Sequence, residues 1–380
     1  MIPPRIPITR PFFTGEEGSR ISAVIASGWV TQGPRTASFE RAIADLLGRA
    51  HAVATSSCTS ALHLLLVAAG VRPQDEVIVP SLTFIATINA ITHAGAHPIF
   101  VDVDGRTANL DPALVEAAVT PKTKAVLAVH QLGYPADLGE LNRVAEKGVS
   151  ILEDAACALG SRFKGRLVGA GQSPACFSFH PRKVITTAEG GVVVLDDGDM
   201  AGRIKELRNQ GMSLSDFDRH SSEDVLVETY GEVGFNYRMT DIHAELGLAQ
   251  LEVLDQCVAA RRRLAARYSA ALADIDGVIP PYEGPGVEFN YQSYMIRVTS
   301  ESAVPRDELM RLLLADGIAT RRGVMASHRE KPYAHLAVHL PVTDAIADDS
   351  LLIPLFPDMR DSDQEFVIDR IASYVSGGQK

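Results

Sequence analysis

Cysteine is scarce and never closely spaced: Cys58, Cys157, Cys176 and Cys257 form no Cys-x-x-Cys, which argues against a disulfide framework and against a zinc site. They read as reduced thiols, mostly buried. Aromatic residues make up only 6% of the 380 positions and charged residues 22%, beside 46% apolar ones, a balance that excludes disorder and fibrous structure. Nowhere do about 18 apolar residues run uninterrupted, so no membrane-spanning helix is expected. The opening residues Met1-Ile2-Pro3-Pro4-Arg5-Ile6-Pro7 contain no apolar signal region, and a cytoplasmic location is the expectation. Positive charge is not in excess. The net charge of −11 sets aside a general nucleic-acid or anionic membrane surface, so any anionic ligand must meet a local basic pocket.

What the chain has is alternation. Phe39, Ile43, Leu46 and Leu47 fall at helical spacing, and the short apolar run Ala52-Val53-Ala54 follows. The pattern then predicts helix 60–69, strand 76–79, helix 83–93, strand 98–101, helix 112–119, strand 125–129, helix 138–147 and strand 149–152. Such βαβ rhythm predicts an α/β unit with a mostly parallel sheet flanked by helices, in which ligands collect beyond the carboxyl ends of strands. Strands 175–179 and 191–195 are separated by polar residues instead of a helix, which implies a sharp excursion over 178–190. A helical pattern over 240–272 links to a smaller C-terminal α+β unit with strand 294–298, helix 306–315, strand 318–321 and a final helix from about 362. Two domains result, 1–250 and 251–380.

Three places carry chemistry. After strand 149–152 come Glu153 and Asp154, and a carboxylate there either caps a helix or serves as counter-ion to a pyridinium nitrogen, which pyridoxal phosphate needs as an electron sink. Phe177-Ser178-Phe179-His180-Pro181-Arg182-Lys183 places a lysine just beyond a strand. Alone it is a solvated loop charge; beside a hydroxyl, an imidazole, a guanidinium and the glycines of Glu189-Gly190-Gly191 it gains the surroundings of a nucleophilic amine. Ser56-Ser57-Cys58-Thr59-Ser60 lies between a strand and a helix, where it either caps that helix or offers free N–H groups to an anion. No Walker motif is present. Gly169-Ala170-Gly171-Gln172-Ser173-Pro174 fails as a dinucleotide fingerprint because Pro174 replaces the third glycine and no helix follows.

These segments resemble a known family, the DegT/DnrJ/EryC1/StrS sugar aminotransferases of the aspartate-aminotransferase fold. The similarity also runs through Ser27-Gly28-Trp29-Val30-Thr31-Gln32-Gly33-Pro34, Thr59-Ser60-Ala61-Leu62-His63-Leu64, Asp75-Glu76-Val77-Ile78-Val79-Pro80-Ser81, Glu153-Asp154-Ala155-Ala156 and Gly234-Phe235-Asn236-Tyr237-Arg238-Met239-Thr240-Asp241. The resemblance implies pyridoxal 5′-phosphate as cofactor and no metal. Lys183 matches the Schiff-base lysine and proton shuttle, and Asp154 the pyridinium partner. Cys58, Thr59 and Ser178 match the phosphate cup, Phe84 an aromatic against the ring, and Asn236 a residue that reaches the neighbouring subunit's phosphate. A homodimer with shared sites follows from that last match.

Two departures stand out. Cys58 occupies a position where the family usually has glycine, and Cys157 one where glutamine or histidine is common and helps hold the phenolic side of the ring. By the same resemblance Thr31, Gln32, Arg321 and His328 fall where substrate is met. The implied reaction moves an amino group from glutamate or glutamine to a keto-sugar carried on a nucleotide. A sugar dehydratase of the same fold, in which histidine replaces the lysine, is disfavoured by Lys183; a non-catalytic pyridoxal-phosphate-binding regulator is the other reading.

Overall fold

The first half of the chain lays down strands whose ends meet at one edge. In the computed structural model, which describes residues 5–145, 148–214 and 226–377, a seven-stranded sheet is built from β1 (His51–Thr55), β2 (Glu76–Pro80), β3 (His97–Val101), β4 (Thr123–Val129), β5 (Ser150–Asp154), β8 (Ala175–Ser178) and β9 (Gly191–Leu195). The short hairpin of β6 (Arg162–Phe163) and β7 (Arg166–Leu167) lies between β5 and β8 in the chain. The order across the sheet is β1-β9-β8-β5-β4-β2-β3. All pairs are parallel except those of β9, which runs against both β1 and β8. The reversal explains the missing helix before β9: an antiparallel return needs no long crossover. The other six strands therefore present their carboxyl ends to the same side.

Alternation along each strand feeds two cores. Val77 and Val79 face one side of the sheet and Ile78 the other, each fully buried. One face is covered by α3 (Cys58–Ala68), α4 (Ile85–His93) and α7 (Gly198–Arg208). The opposite face is covered by α2 (Pro34–Leu47), α5 (Pro112–Ala117), α6 (Leu138–Ala145) and α8 (Asp241–Leu251), with α1 (Glu17–Ser27) packed on α8. In β9, Val192, Val193, Val194 and Leu195 are all fully buried, and each such side chain contributes about 1.5–3 kcal/mol relative to exposure. The start of α2 is fixed from far along the chain. The buried Asp241 carboxylate accepts from the N–H groups of Gly33, Arg35 and Thr36 at 2.7, 3.0 and 3.1 Å, which joins the 27–34 and 234–241 motifs.

The pattern over 240–272 is two helices and not one: α8 stops at Leu251 and α9 (Leu254–Leu272) begins after a break at Glu252 and Val253, whose φ of −109° and ψ of 7° leave the helical region. The start of α9 packs with the large sheet and its later turns with a second core. That core lies against an antiparallel sheet of β10 (Val278–Ile279), β12 (Tyr294–Val298), β14 (Ser350–Ile353) and β13 (Arg321–Arg322), with α10 (Arg306–Ala315), α11 (Pro341–Asp349) and α12 (Asp361–Val375); β11 (Val287–Glu288) joins the β6–β7 hairpin instead. The N-terminal arm belongs to this second core. Ile6, 1% exposed, bridges Ile318 and exchanges backbone hydrogen bonds with Gly317 and Ala319 at 2.9 Å. No helix among the described residues is long and apolar enough to cross a membrane.

Candidate active site

One cavity of about 870 Å³ gathers the ends of β1, β2, β5 and β8. Cys58, Thr59, Phe84, Asp154, Cys157, Ser178, Lys183 and Arg321 all line it. The opposite wall comes from the second sheet and carries Arg322, Met325 and Leu352. The two walls are tied together at their base: Ser327 N–H donates to the Ser81 carbonyl at 2.8 Å, His328 N–H to Ser81 Oγ at 2.9 Å, and Ser327 Oγ to the Thr83 carbonyl at 3.1 Å.

Asp154 ends β5 and is 4% exposed. Its Oδ2 accepts from Thr87 Oγ1 at 2.7 Å and its Oδ1 from Ala156 N–H at 3.1 Å, yet it makes no ion pair among the described residues. A buried carboxylate with neutral donors only is the partner a cationic N–H requires. Glu153 points to the other face of the sheet, where His130 Nε2 lies 2.9 Å from Oε2. His130 Nδ1 accepts from Ala136 N–H at 2.9 Å, so Nε2 carries the proton and donates to Glu153.

Lys183 lies in the loop after β8, and its Nζ donates to Cys157 Sγ at 3.0 Å. Burial works against the ammonium form, but the Cys157 contact, with Asp154 nearby, more than offsets it, and the amine stands above the usual lysine pKa. Burial, reinforced by Asp154, pushes the Cys58 thiol well up, so it remains an uncharged S–H. His180 is pulled down by burial and accepts the Arg182 N–H at Nδ1 across 3.2 Å.

The anion end is a helix N-terminus. Ser57 Oγ caps α3 by accepting the Ser60 N–H at 3.1 Å, which leaves the first turn at Cys58 and Thr59 facing the cavity. Glycine is required beside it: a Cβ on Gly191 would stand 2.5 Å from the Cys58 nitrogen and from the Ser57 carbonyl oxygen. Phe84, just before α4, is 61% exposed although large and apolar, and it lines the cavity.

Four of the expected residues lie outside this cavity. Thr31 bridges Thr240, and the neighbouring Gln32 is buried at φ +40° with no hydrogen-bond partner on its Oε1 among the described residues. Asn236 is exposed and bridges Asn209. His328 is turned away from the cavity, its Nδ1 2.8 Å from Ser81 Oγ and its Nε2 3.3 Å from Asp344 Oδ1, so both ring nitrogens are engaged. Its neighbour Arg329 lines the cavity instead and pairs with Asp348 at 2.6 Å. The Gly169–Gly171 loop is not a cofactor cradle: its carbonyls, with that of Ser173, surround the buried Arg49 guanidinium. Arg182 and Arg322, which the sequence offers as anion-binding groups, line the cavity, and Thr87 is a cavity group not among the expected site residues. The Thr83 and Thr87 hydroxyls, four positions apart at the start of α4, lie 3.0 Å apart.

A buried unpaired carboxylate, an amine, an open aromatic face and a glycine-dependent anion cradle around one cavity fit pyridoxal phosphate, and they define a pyridoxal-phosphate transferase. The chain belongs to the DegT/DnrJ/EryC1/StrS aminotransferase family, whose family model matches residues 13–372. It is an aminotransferase. Among solved structures it is similar to S. venezuelae DesV, with 34% identity over 98% of this chain and 99% of that one and a TM-score of 0.89. The PMP-form of the putative sugar aminotransferase Spr1654 from Streptococcus pneumoniae has 28% identity, 99% and 100% coverage and a TM-score of 0.92. DesI, solved in the presence of its TDP-sugar product, has 34% identity, 99% and 94% coverage and a TM-score of 0.87.

Proposed function

We propose that this aminotransferase takes an amino group from glutamate or glutamine and delivers it to a keto-sugar carried on a nucleotide. The observation that carries the proposal is the meeting of Asp154 and Lys183 in one cavity whose mouth holds Arg182, Arg321 and Arg322 on a chain of net charge −11. A cationic mouth on an acidic protein favours an anionic substrate. The nucleotide linkage has further support in the similarity to DesI with its TDP-sugar product.

Bound in the cavity, pyridoxal phosphate supplies the electron sink. Asp154 would hold the proton on the pyridine nitrogen, and Phe84 would pack against the ring. The α3 N-terminus at Cys58 and Thr59, with Ser178, would hold the phosphate. Lys183 would hold the cofactor through its amine and then move a proton at the reacting carbon of the substrate. Asn236 is exposed and lies outside its own chain's cavity, as suits a residue that serves a second copy, so the active form is read as a homodimer. Four free thiols, three of them buried, fit the cytoplasm.

The test incubates the purified, cofactor-loaded protein with glutamate or glutamine and a panel of nucleotide-linked keto-sugars, and detects the aminated sugar by mass. If a donor bleaches the visible absorbance but no nucleotide-linked sugar is aminated, the acceptor assignment is wrong. If no donor changes the absorbance, the regulator reading replaces this one.

A further inference from the structure

The side chain that Lys183 touches is a thiol, and the contact is braced from behind. The Cys157 carbonyl accepts from Asn290 Nδ2 at 2.8 Å, Asn290 Oδ1 accepts from Gln292 N–H at 2.9 Å, and Gln292 Nε2 donates to the Arg182 carbonyl at 2.7 Å. Asn290 is fully buried and Gln292 7% exposed. A hydrogen-bonded strut therefore runs from the backbone of Cys157 to the residue beside Lys183, and it fixes both ends of the 3.0 Å Nζ–Sγ contact. Gly133, at φ +100°, makes room for it: a Cβ there would stand 2.1 Å from Asn290 Oδ1 and 2.7 Å from the Cys157 carbonyl oxygen.

We propose that Cys157 is a positioning residue for the Lys183 amine: whenever the amine is not joined to the cofactor, the braced thiol receives it and keeps it facing the reacting carbon. The proposal rests on the reading of Lys183 as the cofactor-binding residue. Sulfur is a weak acceptor and S–H a weak donor, so the thiol accepts from the ammonium and donates to the free amine. The contact thus survives the gain and loss of a proton. The charged or titratable groups around the amine are Cys157, Cys58 and Asp154, with His180, Arg182 and Glu189 on the same cavity wall.

The experiment follows trace acetylation of Lys183 in the cofactor-free protein, read by peptide mass at fixed pH below the amine's midpoint, with exposed Lys122 as internal reference. Cys157→Ala is expected to speed acetylation of Lys183 roughly three- to tenfold relative to Lys122, the effect of losing one hydrogen bond to the protonated form. Cys157→Ser, which restores an acceptor, is expected to return the rate close to wild type. In the loaded enzyme Cys157→Ala lowers kcat and displaces its pH profile, with the donor KM little changed. Equal Lys183 rates in wild type and Cys157→Ala overturn the positioning role. The cofactor reading is checked separately by borohydride trapping: label on a peptide other than that of Lys183 overturns that reading, whatever the acetylation rates.

Discussion

Thr87 Oγ1 donates to Asp154 Oδ2 across 2.7 Å, and Thr83 Oγ1 stands 3.0 Å behind it, so a turn of α4 and the hydroxyl preceding it orient a carboxylate at the end of β5. With Ala156 N–H on the other oxygen, both carboxyl oxygens of Asp154 accept a hydrogen bond and the group is held in one orientation. Thr87→Val keeps the shape and removes the donor. It is expected to lower kcat about tenfold, the size of a lost hydrogen bond to a charged group, while the bound cofactor content stays near wild type. Steady-state kinetics with cofactor content measured on the same sample decides it, and an unchanged kcat would show that Ala156 alone suffices.

Lys183→Arg keeps a cation but removes the amine that anchors the aldehyde and moves the proton. The expected outcome is a protein without the visible absorbance of the lysine-bound cofactor and a kcat lower by at least ~10²-fold, the range of a lost general acid–base group. A variant that stays coloured and active would move the chemistry to another residue.

Much of this site was legible because its parts are local. Asp154 ends a strand, and Lys183 and the Cys58–Thr59 helix start lie within a few residues of one, so the strand run itself announces where the side chain must emerge. The 36–195 alternation was legible for the same reason, period by period. Contacts between distant segments leave no such trace. That Ile6 pairs with Ile318, that Asp241 caps α2, or that Ser81 holds the 326–328 turn depends on closure of the whole chain. The break between α8 and α9 was hidden because Glu252 and Val253 are neither glycine nor proline, and the apolar period runs through them. Helix α7 did carry a signal: Asp197 caps it by accepting the Met200 N–H at 2.9 Å. His328 shows the converse. Its position after a strand pointed to the substrate, but the ring is consumed in joining the two walls.

Gly191 tests the anion cradle independently of the amine. Its added methyl in Gly191→Ala meets backbone atoms of Ser57 and Cys58 at 2.5 Å, which cannot rotate away as a side chain would. The substitution is expected to cost about 1–3 kcal/mol of stability through overpacking and to weaken cofactor retention more than donor binding. Thermal unfolding with and without added pyridoxal phosphate separates the two effects: if the cofactor raises Tm in the variant as much as in wild type, the cradle is not where the phosphate sits.

Acid should loosen the fold before its carboxylates titrate. Burial holds the pKa values of His63, His180, His243 and His328 below the ordinary 6.5, with His93 adding to the effect at His63. Above about pH 6.5 these groups are neutral in the folded and unfolded chains alike and do not affect the balance. As pH falls from 6.5 through their lowered values, the unfolded chain binds the protons first, and linkage requires that stability be lost in that window. The urea midpoint is therefore expected to drop between about pH 8 and pH 5.5. His63→Phe should reduce the drop, because the ring that packs edge-on against Phe235 at 4.8 Å is kept while its proton site is removed. A midpoint that is flat or rises on acidification would mean that these rings gain in the folded protein partners that offset their burial.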